Sequence, residues 1–256
     1  MPVAPAHEKL LLCMKWGTRY GSDYVNRLYS MVARHIASPF RLVCFTDDPA
    51  GVTAAVDCRP LPSLPGVPGW MGVLPWRKLS LWQSSLGPDL DGRDALVLDL
   101  DLVVTGPLDD FFTFAPGRYA VIENWTKLGR KIGNTSVFRF TIGSHPEIYD
   151  RFIRDPEGLY RREFRIEQEY ISAVLGPKGE QVFWPREWVR SFKEELLPIW
   201  PLRLVKPAPL PPGARLVIFH GKPDPDEAMV GQWPAPLWKK LYKTLRPVPW
   251  IEAHWG

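Results

Sequence analysis

The chain has 256 residues, 45% hydrophobic and 23% charged, and a formal net charge of +4. That is enough for one large α/β domain or two small ones. The charge is mild and of mixed sign, which admits an anionic ligand such as a nucleotide or phosphate but argues against a nucleic-acid partner. Residues 8–16 read as a first buried strand, with a loop at Gly17–Gly21. The apolar core of that strand, Leu10–Met14, is too short for a secretory signal and is ended by Lys15. Cys13, Cys44 and Cys58 have no metal-binding spacing, and two of them lie in apolar strands. They read as reduced core thiols of a cytoplasmic chain.

Ser22-Asp23 then reads as a helix cap, with helical apolar spacing from Tyr24 to Ile36 and a stop at Pro39. Arg41–Phe45 is a second strand and Val56–Arg59 a short third. Residues 60–75 are rich in Pro and Gly and include Trp70 and Met71; a loop of this length suits a flexible lid or an acceptor-site flap. Trp76–Leu86 reads as an amphipathic helix and Ala95–Val104 as a strand. This alternation predicts an α/β, Rossmann-like fold: a mostly parallel sheet flanked by helices, with ligands at the carboxyl ends of the strands.

Gly106–Phe112 is a short helix, Tyr119–Glu123 a strand, and Asn134–Ser136 a loop entering a strand that runs to Phe140. His145–Ile153 is a helix with Pro146 in its first turn, and Ile166–Leu175 another, closed by Gly176-Pro177. Val182–Trp184 is a short strand, residues 198–213 are Pro-rich and irregular, and Leu216–Phe219 is a last strand. Pro236–Leu245 reads as a terminal amphipathic helix in an aromatic tail over residues 232–256. Its Trp238, Lys239, Lys240, Tyr242 and Lys243 suit peripheral contact with a membrane as well as they suit a solvated helix. No apolar run approaches membrane-spanning length. No repeat or break interrupts the sequence, so one domain is expected over 1–256.

The chemistry centres on Leu98-Asp99-Leu100-Asp101. On one continuous strand, residues two apart share a face, roughly 6.5–7 Å apart. Two such carboxylates repel unless a cation lies between them, and oxygen donors suit magnesium or manganese. The plainer alternative is a strand end presenting two acids to solvent. His220 follows the last strand as Asp99 and Asp101 follow theirs. With the two Asp it makes a three-ligand set, its nitrogen favouring manganese; a lone His after a strand is more often a capped core group. Gly221 allows close backbone approach to a ligand, and Lys222 offers a point charge for phosphate.

Leu98-Asp99-Leu100-Asp101, followed by Pro107-Leu108-Asp109-Asp110-Phe111-Phe112, resembles the core of GT-A glycosyltransferases, family 8 most of all. Four more segments agree in order and spacing. Trp76–Trp82 resembles the helix that carries a Lys ahead of the Asp-x-Asp, and Gly133–Val137 the sugar-site turn. Glu167-Gln168-Glu169 resembles the acidic-Gln pair opening a later helix, with Glu where the family has Asp. His220-Gly221-Lys222-Pro223 resembles the C-terminal His…Gly…Lys-Pro motif, here contiguous and followed by Asp224 instead of Trp.

The resemblance implies a GT-A fold of the nucleotide-diphospho-sugar transferase type. It implies a metal-dependent transfer of a hexose, with retention, from a UDP-sugar or related donor to a glycan or lipid-linked acceptor, as in polysaccharide biosynthesis, and a place in the cytoplasm or at the inner membrane. By it, Asp99, Asp101 and His220 hold Mn²⁺ or Mg²⁺, and Lys222 helps neutralise the leaving diphosphate. Trp16, Gly17, Thr18 and Tyr20 cradle the nucleotide, and Lys78 meets phosphate or donor sugar. Asn134 and Ser136 read sugar hydroxyls, and Gln168 lies under the anomeric carbon. Two rivals stand beside it. The strand ending in Asp99 also resembles the first motif of haloacid-dehalogenase-type phosphatases, with Asp99 as nucleophile, although Leu102-Val103 replace the usual Gly-Thr. The other rival is a non-catalytic nucleotide- or carbohydrate-binding module.

Overall fold

The structure is a computed structural model and describes residues 8–240 and 242–256. β1 (Lys9–Lys15) lies between β2 (Phe40–Thr46) and β4 (Asp94–Leu98), and β3 (Asp57–Pro60) flanks β2; all these pairs are parallel. β7 (Gly133–Thr141) runs antiparallel to β4 and to β6 (Tyr119–Glu123), and β8 (Gln181–Phe183) closes the edge parallel to β6. The seven-stranded order is β3-β2-β1-β4-β7-β6-β8. A second sheet holds β5 (Leu102–Val104), β10 (Leu216–Ile218) and β9 (Val189–Ser191), with β10 in the middle.

Period-two alternation in buried strands fills a core on each face of the large sheet. Leu11, Cys13, Leu42, Cys44, Leu96 and Leu98 face α1 (Ser22–His35), the small sheet and α8 (Pro249–Trp255). Leu10, Leu12, Val43, Phe45 and Val97 face the opposite layer. That layer holds the 3₁₀ segment Pro75–Trp82, α4 (Pro146–Arg154) and α6 (Glu167–Leu175). Four shorter helices, α2 (Gly69–Gly72), α3 (Asp110–Thr113), α5 (Pro156–Gly158) and α7 (Pro225–Met229), lie in the connections.

Several elements differ from the sequence reading. Ala95–Val104 is two strands: β4 belongs to the large sheet and β5 to the small one, and the chain crosses between them at Asp99–Asp101. Apolar residues continue through the crossing because Leu100 is itself buried, so the hydrophobic pattern carries no mark of it. Trp76–Leu86 is 3₁₀ only, over Pro75–Trp82; six of those eight residues are buried, so the segment has no polar face for an amphipathic helix. Asn134–Ser136 lies inside β7, where the register against β6 shifts between Val121 and Ile122. Ser22 is the first helical residue and caps nothing with its side chain. The terminal helix is α8; within 236–245 the described residues form a 3₁₀ turn at Leu237–Lys239, and Leu241 lies outside the described residues.

Candidate active site

A cavity of about 540 Å³ opens where β1 and β4 end. That is the edge at which parallel sheets present ligand sites. Six stretches of chain meet there: the end of β1 with the loop after it, Val73 to Lys78, the Asp99–Asp101 crossing, the start of β7, the start of α6, and His220-Gly221 after β10. Of the residues singled out in the sequence, Trp16, Gly17, Thr18, Tyr20, Lys78, Asp99, Asp101, Asn134, Ser136, Gln168, His220 and Gly221 all line it.

The loop after β1 is shaped by its backbone. Gly17 has φ +63°, a region that favours glycine, and its N–H donates to Asp47 Oδ2 at 2.8 Å. The Trp16 indole donates to the Val73 carbonyl at 3.2 Å, tying this loop to the 60–75 flap. The flap is further tethered by Gln83 and Tyr149, which both donate to the Ser63 carbonyl at 3.0 Å.

The two aspartates are fixed by the crossing itself. The Asp99 N–H donates to the Ser136 carbonyl, and the Phe219 N–H to the Asp101 carbonyl, each at 2.9 Å. Both sheets therefore hold the turn. Lys78 Nζ lies 2.6 Å from Asp99 Oδ1 and 3.1 Å from the Thr135 carbonyl. Burial alone would lower its pKa; Asp99 and Glu167 reverse this and raise it, so the ammonium stays charged. Tyr20 donates its hydroxyl to Asp101 Oδ2 at 2.9 Å. Burial and the neighbouring Asp99 charge still push the Asp101 carboxyl up to about 7.

Two further groups enter from α6. Glu167 is buried, accepts from Thr135 Oγ1 at 2.7 Å, and has its pKa raised by that burial against the pull of Lys78. Gln168 Oε1 accepts from Asn124 Nδ2 at 2.8 Å, which turns the amide's N–H donors free for another acceptor. Asn134 Oδ1 accepts the Ser136 N–H at 3.0 Å, folding the start of β7 into a local turn.

Two residues take other partners in this structure. His220 lines the cavity but does not join the aspartates. Its Nε2 is 2.7 Å from Ser191 Oγ, its ring stacks on Trp125 at 6.0 Å, and burial lowers its pKa. Among the described residues no three His, Cys, Asp or Glu side chains converge as a metal site would. Asp99 and Asp101 still fit a divalent cation as a two-carboxylate donor set: both line the cavity, the crossing that carries them is held by both sheets, and carboxylate oxygens are the donors such a cation takes. Lys222 is outside the cavity lining, paired with Asp224 at 2.8 Å and with Glu227. Asp224 and Glu227 form the capping box of α7, a signal legible in the sequence as Asp-x-x-Glu. Arg19, which the sequence reading passed over, lines the cavity instead. Its guanidinium lies over the Tyr20 ring at 5.0 Å and bonds Asp224 at 3.2 Å. A charged loop residue has no periodicity to distinguish it.

No family model matches the sequence, and no curated protein matches it. Solved structures do. The glycosyltransferase GlyE of Streptococcus pneumoniae TIGR4 superposes with TM-score 0.57 at 13% identity, over 85% of this chain and 56% of that one. The galactosyltransferase LgtC, in complex with donor and acceptor sugar analogs, gives TM-score 0.57 and 13% identity over 85% of this chain and 88% of that one. The chain has the GT-A glycosyltransferase fold. A third GT-A relative in fold, the bifunctional glycosyltransferase WbbM, gives TM-score 0.57 at 9% identity over 88% of this chain. The chain spans 56% of the length of GlyE and 48% of WbbM.

Proposed function

We propose that this chain is a glycosyltransferase that moves a hexose from a nucleotide-diphospho-sugar, a UDP-sugar foremost, to a glycan or lipid-linked acceptor, as in polysaccharide biosynthesis. The observation that carries the reading is the meeting of widely separated sequence motifs around one cavity in a GT-A fold. In this account the Trp16–Tyr20 loop holds the nucleotide, and Lys78 and Arg19 face the diphosphate. Asn134 and Ser136 read sugar hydroxyls. Asp99 and Asp101 are the oxygen donors for Mn²⁺ or Mg²⁺, whose charge when bound offsets that growing on the leaving diphosphate.

Gln168 lies beneath the transferred carbon. An amide is a poor nucleophile, so a covalent sugar on Gln168 is disfavoured. Glu169 is paired with Lys127 and lies outside the cavity lining, whereas Glu167 lines it while accepting from Thr135; a sugar trapped covalently on either carboxylate would contradict a one-face reaction. The reaction then proceeds with retention on one face of the sugar: the acceptor oxygen bonds the anomeric carbon as the diphosphate oxygen leaves, and the acceptor's proton passes to that leaving phosphate. His220 contributes through Ser191 and the cavity wall.

The test is release of nucleoside diphosphate from UDP-hexoses without acceptor. The proposal expects slow hydrolysis that needs Mn²⁺ or Mg²⁺ and is lost in Asp101→Asn. A protein that binds the donor without any hydrolysis is the non-catalytic module. Turnover of phosphate monoesters abolished by Asp99→Asn, with no action on nucleotide-sugars, is the phosphatase.

A further inference from the structure

A second cavity, of about 620 Å³, adjoins the first. The two share a wall. Gln168 of α6 lines one and Glu169 the other; where the chain enters β7, Asn134 lines one and Ile132 the other. The 124–132 connection runs past both. Asn124 bonds Gln168 at 2.8 Å, and Lys127 pairs with Glu169.

The wall of this second cavity has positive charge to spare. Its two acids are already paired with cations outside the lining, Glu163 with Arg151 at 2.6 Å and Glu169 with Lys127. Its two cations, Arg130 and Lys131, form no ion pair among the described residues. They stand on a turn held at three points. The Gly129 N–H donates to Glu123 Oε1 at 2.8 Å, the Asn124 N–H to the Ile132 carbonyl at 2.8 Å, and Gln181 Nε2 to the Lys131 carbonyl at 2.7 Å. Lys131 has φ +55°, the left-handed region that glycine adopts without strain and lysine does not. Phe164 and Pro177 add apolar surface to the lining, and the Phe164 ring is held against Tyr170 at 5.4 Å. Apolar surface with a few fixed polar groups is the make-up of a small-ligand site. Sugar ring faces can lie on the apolar part, and two unpaired cations favour anionic groups.

We infer that this second cavity binds an anionic saccharide, one bearing carboxylate or phosphate groups, as the part of the acceptor that extends past Gln168. Calling the saccharide the acceptor rests on the transferase reading; its binding does not. In that reading the transferred carbon lies over Gln168, and the next residue of α6 belongs to the second cavity. An acceptor attacking there lays its neighbouring sugars across the shared wall. Arg130 and Lys131 then meet its charges, whereas a neutral glycan leaves both cations without partners.

The experiment is titration calorimetry of the full chain, without nucleotide, with tetragalacturonate, with a 6-phosphorylated maltotetraose and with maltotetraose. At least one anionic probe is expected to bind about tenfold or more tighter than maltotetraose, and which one does so names the charged group. Arg130→Gln should weaken that binding about tenfold, the loss of one charge-assisted contact. Lys131→Gly should do the same while holding the melting temperature, since glycine relieves the backbone there. Lys239→Gln with Lys240→Gln removes two charges outside the cavity lining and should leave the affinity within about twofold. No binding of either anionic probe, equal binding of maltotetraose, or no response to Arg130→Gln and Lys131→Gly overturns the inference. So does an equal loss on changing Lys239 and Lys240, which would mean attraction to net charge alone. The nucleotide-sugar thermal shift, read on the same preparations, tests the transferase reading separately. Its absence would end the acceptor role and leave the saccharide site standing.

Discussion

Lys78 holds its ammonium nearly out of water between Asp99 and the Thr135 carbonyl. Lys78→Gln leaves Asp99 beside Asp101 without its paired cation. It should destabilise the ligand-free protein by about 3 kcal/mol, because a partly buried charge loses its partner. Asp101→Asn added to it should recover part of that loss in a thermal melt, since it removes the like charge. Simple additivity would mean the pair does not interact. Two further cations, Arg19 and Lys222, differ in what holds them. Arg19 lines the cavity, whereas Lys222 is committed to Asp224 and Glu227. Arg19→Ala should weaken donor binding about tenfold, the loss of one charge-assisted contact, and Lys222→Ala should change it far less. Titration calorimetry of the two variants gives the order, and the reverse order would mean that Lys222 swings in when the donor binds.

At the scale of elements, the segment Pro107–Phe112 separates resemblance from role. Asp109 is not at the cavity. It is ion-paired with Lys9 of β1 and accepts from the Ala37 N–H at 2.9 Å and the Ser38 hydroxyl at 3.1 Å, clamping the end of α1 to the sheet. Burial alone would raise its pKa; these three donors overcome it and hold the carboxyl at about 2, below its ordinary 3.8. A depressed carboxylate stabilises the fold above its unfolded value and loses that contribution as pH falls through the folded value. Asp109→Ala should therefore cost about 1–2 kcal/mol at neutral pH, discounted for part exposure. The difference between variant and wild type should close between pH 4 and 2 in urea melts taken across pH. A difference that persists below pH 2 would assign the loss to packing.

For the whole molecule, the alternation of buried strands and helices was legible because β1, β2 and β4 carry apolar residues on both faces. The candidate site was legible as an ordered set of motifs, and most of their polar residues meet in one cavity. What was not legible depends on long-range partners. The change of sheet at Asp99–Asp101 is hidden by apolar residues on both sides, and the 3₁₀ form of Pro75–Trp82 follows from burial by neighbours. The withdrawal of His220 needs Ser191, and that of Lys222 needs the cap of α7.

The central claim is that the cavity binds a nucleotide-sugar through Asp99, Asp101 and the loop after β1. Its most direct test is a thermal-shift comparison of UDP-, GDP-, ADP- and CMP-sugars, with and without Mn²⁺, on wild type and Asp101→Asn. A donor well above its dissociation constant stabilises the native state by about 3 kcal/mol, or roughly 5–10 °C for a chain of this size. The account predicts such a shift for one nucleotide class, dependent on Mn²⁺ in wild type and absent in Asp101→Asn. No shift with any nucleotide, or one that survives Asp101→Asn unchanged, would contradict it.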